Sequence, residues 1–251
     1  MGRRLRVATV LVVFGITAAS AQYDLPGRPH RTEIPYDGQF TFVRLAWRSD
    51  FGYSRRGFGA AWNHDFPRAE QHLAMIMREL TLLDMRTDGS LILTLDDPEL
   101  FKYPIAFMWE PGFWNLSDRE AATFRAYLQK GGFAVFEDFD GPEQWHHFAA
   151  QMQRVLPDGH FVKLDQTYPI FDSFFRVKDI HAIIHPMVGI RPSYYGIFED
   201  NDPSKRLMVV ANFDNDIPEY WEWSGQGLYP FDTSNEAYKL GVNYLIYGLT
   251  H

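Results

Sequence analysis

The sequence contains no cysteine. That absence excludes disulfides, thiolate metal centres and a cysteine nucleophile together. Long apolar runs are missing as well. The N-terminal stretch from Val7 to Ile16 falls short of the roughly 20 residues that a membrane span requires. Positive charge is scarce: 24 Lys and Arg stand against 32 Asp and Glu, for a formal charge of -8. A basic field able to hold nucleic acid or an anionic membrane is therefore not expected. Internal repeats, low-complexity tracts and a second composition regime are also lacking.

What is present begins with an address. MGRRLRVATVLVVFGITAASAQ carries Arg3, Arg4 and Arg6, then the short apolar run, then Ala19-Ser20-Ala21. This is the pattern of a secretory signal peptide over residues 1–21, so export to the periplasm or the exterior is expected. Removing three arginines and no acid would take the charge to -11. No membrane-spanning segment is expected after cleavage. A cationic ligand, a divalent cation or a basic cell-envelope protein suits such a chain better than an anionic partner. Apolar residues make up 46% and aromatics 16%, enough for a packed core rather than disorder.

Residues 22–38, QYDLPGRPHRTEIPYDG, read as an extended leader, and a single α/β domain is expected over 39–251. Alternation predicts a strand over Gln39 to Arg48, followed by a glycine-rich loop. Leu73, Ile76, Met77, Leu80 and Leu83 recur at helical spacing, with Pro67 in the first turn and Asp65 placed to cap it. Short strands follow at Ser90–Leu95 and Tyr103–Trp109. Ser117 and Glu120 form a capping box for a helix that ends at Gly131-Gly132. FAVFED is a nearly continuous apolar strand, as expected where both sheet faces are covered. A helix bearing Phe148, Met152 and Val155 follows, then YYGIFED, RLMVVANF and a terminal helix with a second capping box at Thr233 and Glu236. Alternating strands and helices imply a mainly parallel sheet with helices on both faces, and sites at the strands' carboxyl ends.

The segments FTFVRLAW, WNHDFPRAEQHL, YPIAFMWEPG, LSDREAATFRAYLQKGGFAVFEDF and LGVNYLIYGLT resemble the DUF4159 family over about Phe40 to Thr250. The resemblance is carried most specifically by Trp62, Asp65 and Pro67, by the helix-GGF-strand-acid element, and by GVNYLIYGL. It implies a three-layer, flavodoxin-like sandwich similar to class I glutamine amidotransferases and ThuA-like proteins, and no assigned activity. In amidotransferases of this fold the strand matching GGFAVFED ends in a turn carrying the nucleophilic cysteine. Here Glu137 and Asp138 stand at that turn, and glutaminase chemistry is excluded.

Three acids, Glu137, Asp138 and Asp140, therefore end a strand that reads as central. They could hold Ca²⁺ or Mg²⁺ through oxygen ligands, or share a proton. Alternatively, Asp138 or Asp140 caps the next helix while Glu137 faces water. His64 and Asp65 follow the glycine-rich loop, and Glu110 ends a neighbouring strand where it could face the acids. His181 and His185 have the spacing of a helical metal pair but lack the metalloprotease glutamate, so a structural pair is favoured. His146 and His147 read as helix decoration, Trp221 and Trp223 as core, and DNDPSK and DNDIP as polar turns. The leading expectation is a non-catalytic binding or assembly module of the cell envelope. Its candidate pocket is His64, Asp65, Glu110, Glu137, Asp138 and Asp140, with no evident cofactor other than a divalent cation held by the three strand-end acids. The alternative is a metal- or carboxylate-dependent hydrolase acting on a polar or glycan-like substrate.

Overall fold

The computed structural model describes residues 34–48 and 61–251. The expected signal segment, the leader up to residue 33, and residues 49–60 of the glycine-rich loop lie outside the described residues. Seven strands form one sheet: β1 (Val43–Ala46), β2 (Leu91–Thr94), β3 (Ile105–Trp109), β4 (Phe133–Phe139), β5 (Val162–Leu164), β6 (Ser193–Phe198) and β7 (Leu207–Phe213). Their order is β2-β1-β3-β4-β7-β6-β5. The first five in that order run parallel, while β6 and β5 turn antiparallel at one edge. β1 is shorter than its alternation suggests; isolated bridges at Phe40 and Arg48 mark where pairing fades.

Every residue of β3 and β4 is buried, because helices cover both faces of the sheet. On one face Ala106, Met108, Ala134 and Phe136 pack against Phe124 of α2 (Asp118–Gln129) and Phe148 and Met152 of α3 (Gly141–Val155). On the other, Phe107, Val135 and Val210 meet three helices: α1 (Arg68–Leu80), α4 (Ile217–Glu222) and α5 (Phe231–Thr250). α2 begins at the expected capping box: Ser117 Oγ accepts from the Glu120 N–H, and Glu120 reaches back to the Ser117 N–H. None of the helices among the described residues is long and apolar enough to cross a membrane.

Four local expectations are corrected. Leu80 is exposed at the end of α1, whose inward face is Ala69, Leu73, Ala74 and Met77. Asp65 does not cap α1, because its carboxylate turns inward and only its carbonyl accepts, from the Ala69 N–H. Neither Asp138 nor Asp140 caps α3; the Gly141 N–H is taken by Asp214 Oδ1 instead. α5 starts at Phe231, so Thr233 lies inside it and caps nothing.

The carboxyl end of β4 departs from regular pleating. Its register with β7 shifts between Phe136 and Phe139, and Asp138 takes a left-handed conformation with φ 57°. Phe136 and Phe139 both enter the α2/α3 core, although strict alternation would send them to opposite faces. The extra residue is a bulge that delivers Glu137 and Asp138 to the sheet's carboxyl edge.

Candidate acid–histidine site

The edge where β3, β4 and β7 end is built around a buried arginine. Arg44, on β1, is fully buried and bonds Glu70 of α1 at 2.5 Å. Its Nη1 donates to the carbonyls of Trp62 (2.9 Å) and His64 (2.7 Å), and its guanidinium stacks 3.5 Å from the Trp109 ring centre. A planar, five-donor cation can do this and an ammonium cannot. The segment leading into α1 is thereby fixed, and with it the position of His64.

Three side chains then share one pattern. His64 Nδ1 lies 2.8 Å from Asp138 Oδ2; since the carboxylate can only accept, Nδ1 donates and Nε2 is left to face elsewhere. Asp65 Oδ2 accepts from Trp109 Nε1 at 3.1 Å, while its Oδ1 has no hydrogen-bond donor among the described residues and lies 3.4 Å from His64 Nε2. Glu219 Oε1 accepts from Tyr229 at 2.9 Å, while its Oε2 also has no donor and lies 4.0 Å from the same Nε2. The Asp65 and Glu219 side chains are buried, whereas His64 keeps 23% of its surface. His64 is thus the member that reaches solvent. Asp216 also joins His64 and Asp138, with one ligand atom from each lying within 4.8 Å of the others.

Burial sets the electrostatics. Desolvation pushes Asp65 well above the ordinary carboxylate range, and the charges of Asp138 and Glu219 push further against the pull of His64. Asp216 is raised in the same way, by burial first and then by Asp138, Asp65 and Glu219. Burial works against a charged His64, but the Asp138 hydrogen bond and the fields of Asp65, Asp138 and Glu110 outweigh it, lifting the imidazole to about 9. Asp65, Glu110 and Asp138 all adopt positive φ, at 60°, 49° and 57°. Each such position costs a non-glycine residue roughly 1–2 kcal/mol, and such positions gather at functional sites.

A family model for a domain of unknown function, DUF4159, matches residues 47–249. The chain belongs to the DUF4159 family. No curated protein matches it.

The expected site residues of this DUF4159 chain separate into two groups. His64, Asp65 and Asp138 meet directly, and Glu110 stands close enough for its charge to act on His64. Glu137 is fully buried rather than solvated, and it faces the α5 side of the sheet. Asn212 donates to it, and Tyr244 in turn donates to Asn212 Oδ1 at 2.6 Å. Burial raises the Glu137 carboxyl well above its usual range, against that hydrogen bond. Asp140 lies apart, accepting from Gln144 and standing 3.7 Å from His185. The three strand-end acids therefore go to different partners. His181 and His185 lie outside any helix and go to different partners, Pro192 and Asp140. Trp221 is core, as expected, while Trp223 is stacked on Arg68.

Asp216 of the DUF4159 domain lies in the stretch DNDIP, which reads as a polar turn, and no motif singles out Glu219, yet both are central. The signal was present in the sequence: RLMVVANF, like FAVFED, is an apolar strand that runs straight into acids, Asp214 and Asp216. Two such strands lying side by side, β4 and β7, pool their acids at one edge.

Proposed function

We propose that this chain is an exported binding module of the cell envelope whose ligand centre is the acid–histidine edge of the sheet, and that its ligand is cationic. One observation carries the reading. Asp65, Asp138 and Glu219 each stand within ion-pair distance of His64, and buried Asp216 lies close to His64 and Asp138. Arg44 is committed to Glu70 and two carbonyls. Asp65 Oδ1 and Glu219 Oε2 are buried with no hydrogen-bond donor among the described residues, and leaving such oxygens unsatisfied destabilises a free protein, so their presence is best accounted for by something bound.

A flavodoxin-like, amidotransferase-like scaffold supports the same placement. The parallel strand order β2-β1-β3-β4 reverses at β1, and ligands of open α/β sheets bind at such a reversal, beyond the strands' carboxyl ends. Asp138 stands in a left-handed turn at the end of β4, where amidotransferases of this fold carry their nucleophile. The N-terminal pattern of arginines, short apolar run and Ala-Ser-Ala supports export.

The hydrolytic alternative is favoured by one feature, the imidazole oriented by Asp138. Against it, a histidine raised to about 9 holds its proton at neutral pH and makes a poor general base.

The test needs no ligand in hand. Asp65→Asn and Glu219→Gln each keep an oxygen for Trp109 and Tyr229 while removing charge. Denaturant melts of the double variant in chelator are expected to show a gain of about 1–2 kcal/mol over the parent, the signature of residues kept for binding at a cost in stability. A loss in that assay would make the carboxylates structural and end the binding reading.

A further inference from the structure

Resting on that reading, we infer that the cationic ligand is a divalent transition-metal ion of the Mn²⁺ or Zn²⁺ class, held by His64 Nε2, Asp65 Oδ1 and Glu219 Oε2. In each residue one polar atom is anchored by the protein and the other is not. Asp138 anchors Nδ1 of His64, Trp109 anchors Oδ2 of Asp65, and Tyr229 anchors Oε1 of Glu219. The two remaining carboxylate oxygens are buried without a hydrogen-bond donor among the described residues, and both face His64 Nε2, at 3.4 and 4.0 Å. Leaving buried carboxylate oxygens unsatisfied costs free energy, and a shared ion satisfies both at once. Donors on a tetrahedral ion with bonds of about 2.1 Å stand roughly 3.4 Å apart. The Nε2–Asp65 separation already meets that spacing, and the Glu219 oxygen, at 4.0 Å from Nε2 and within 4.8 Å of the Asp65 oxygen, would close on the ion by a modest side-chain adjustment.

The donor chemistry selects the ion. Binding releases the Nε2 proton to solvent, and the resulting neutral imidazole and two carboxylates bring two negative charges, which balance a dication. An imidazole nitrogen in the set disfavours Ca²⁺ and Mg²⁺, which take oxygen ligands, and suits the first-row metals. Asp138 then acts as a positioning residue, holding the ring so that Nε2 points at the ion, the carboxylate–histidine–metal arrangement. Solvent reaches His64, so the ion keeps an open position for water or a ligand group.

The experiment is calorimetric titration of the full chain with Mn²⁺, Zn²⁺, Ca²⁺ and Mg²⁺, with the Mn²⁺ electron paramagnetic resonance spectrum as a second readout. One equivalent of Mn²⁺ or Zn²⁺ is expected to bind, and to raise the melting temperature. His64→Gln should abolish that binding. Asp138→Asn should weaken it by about 10–100-fold, the usual effect of losing an orienting carboxylate, with the spectrum of the bound ion altered. Glu143→Gln, an exposed carboxylate on α3, should change nothing. Circular dichroism of each variant separates lost binding from lost fold. Binding that survives His64→Gln, or a preference for Ca²⁺ or Mg²⁺, overturns the assignment. If no divalent ion binds while Asp65→Asn/Glu219→Gln still gains stability, the metal is wrong and the cationic-ligand reading stands. If that variant loses stability as well, both fall.

Discussion

Arg44 is the residue on which the geometry of the site depends, and its burial is expensive. It shares a dry environment with Glu70, yet its Nη2 and the Glu70 Oε2 have no hydrogen-bond partner among the described residues. Removing one member of such a pair leaves an unbalanced buried charge, at a cost of about 3–5 kcal/mol. Arg44→Met is therefore expected to lose stability in that range in urea melts. Arg44→Met/Glu70→Leu should recover most of it, because the lone charge is gone. What the double variant should not recover is the position of His64, whose carbonyl Arg44 holds. Chemical-shift changes at the His64 ring would report this. A double variant as unstable as the single one would show that Arg44 matters through packing against Trp109 rather than through charge. Little of this was legible in the sequence. Arg44 lies within an alternating strand, FVRLA, where an arginine reads as the outward, solvated position. A buried arginine shows itself in sequence only through its partners, and Glu70 is 26 residues away.

At the scale of the element, local signals were legible where the chain's own chemistry decides and illegible where packing does. Two S/T-x-x-E patterns looked alike, Ser117/Glu120 and Thr233/Glu236. The first caps α2 because Ser117 can stay extended, at ψ 160°, with both reciprocal bonds formed. The second fails because the helix has already closed before it: the Pro230 carbonyl accepts from the Ser234 N–H. Ser117→Ala should therefore cost about 1 kcal/mol in thermal or denaturant melts, and Thr233→Ala close to nothing. Equal costs would mean that the motif rather than its context carries the energy. The same division explains the strand ends. Two apolar strands running into acids were readable one at a time. That β4 and β7 lie side by side, pooling Asp138 with Asp216 and Glu219, is a property of the topology and has no local signature. The bulge at Asp138 is also non-local, since it registers a mismatch between two strands whose partners, such as Phe139 and Phe213, are far apart in sequence.

For the whole molecule, the buried acids and His64 act in one direction on pH. Asp65, Glu137 and Asp216 are raised by burial, so the folded chain keeps protons that the unfolded chain has already released above the ordinary carboxylate range. His64, raised from 6.5 to about 9 against the pull of burial, does the same in a higher window. Where the native state binds more protons than the unfolded state, stability falls as pH rises. The carboxyl contribution is complete below the unfolded carboxylate values and declines above them. The His64 contribution is complete below 6.5 and is lost as pH passes through about 9. Asp37, Asp165 and Asp202 are lowered by hydrogen bonds from Gln39 and Thr167 and from the Ser204 side chain. These exposed groups oppose the trend only in strong acid. Metal-free protein is thus expected to melt highest near about pH 4 and progressively lower up to about pH 9.5, measured by scanning calorimetry in chelator. His64→Gln should flatten the segment between pH 6.5 and 9 and leave the acidic segment in place. An ion in the cluster takes the place of the protons on His64 and Asp65, so saturating Mn²⁺ should flatten the segment between pH 6.5 and 9 and reduce the acidic one, leaving the part that Glu137 contributes. A metal-free profile that instead rises from pH 5 to pH 8 would mean that the acids are ionised and already balanced within the fold. The carboxyl edge would then be a structural network rather than a centre waiting for a cation.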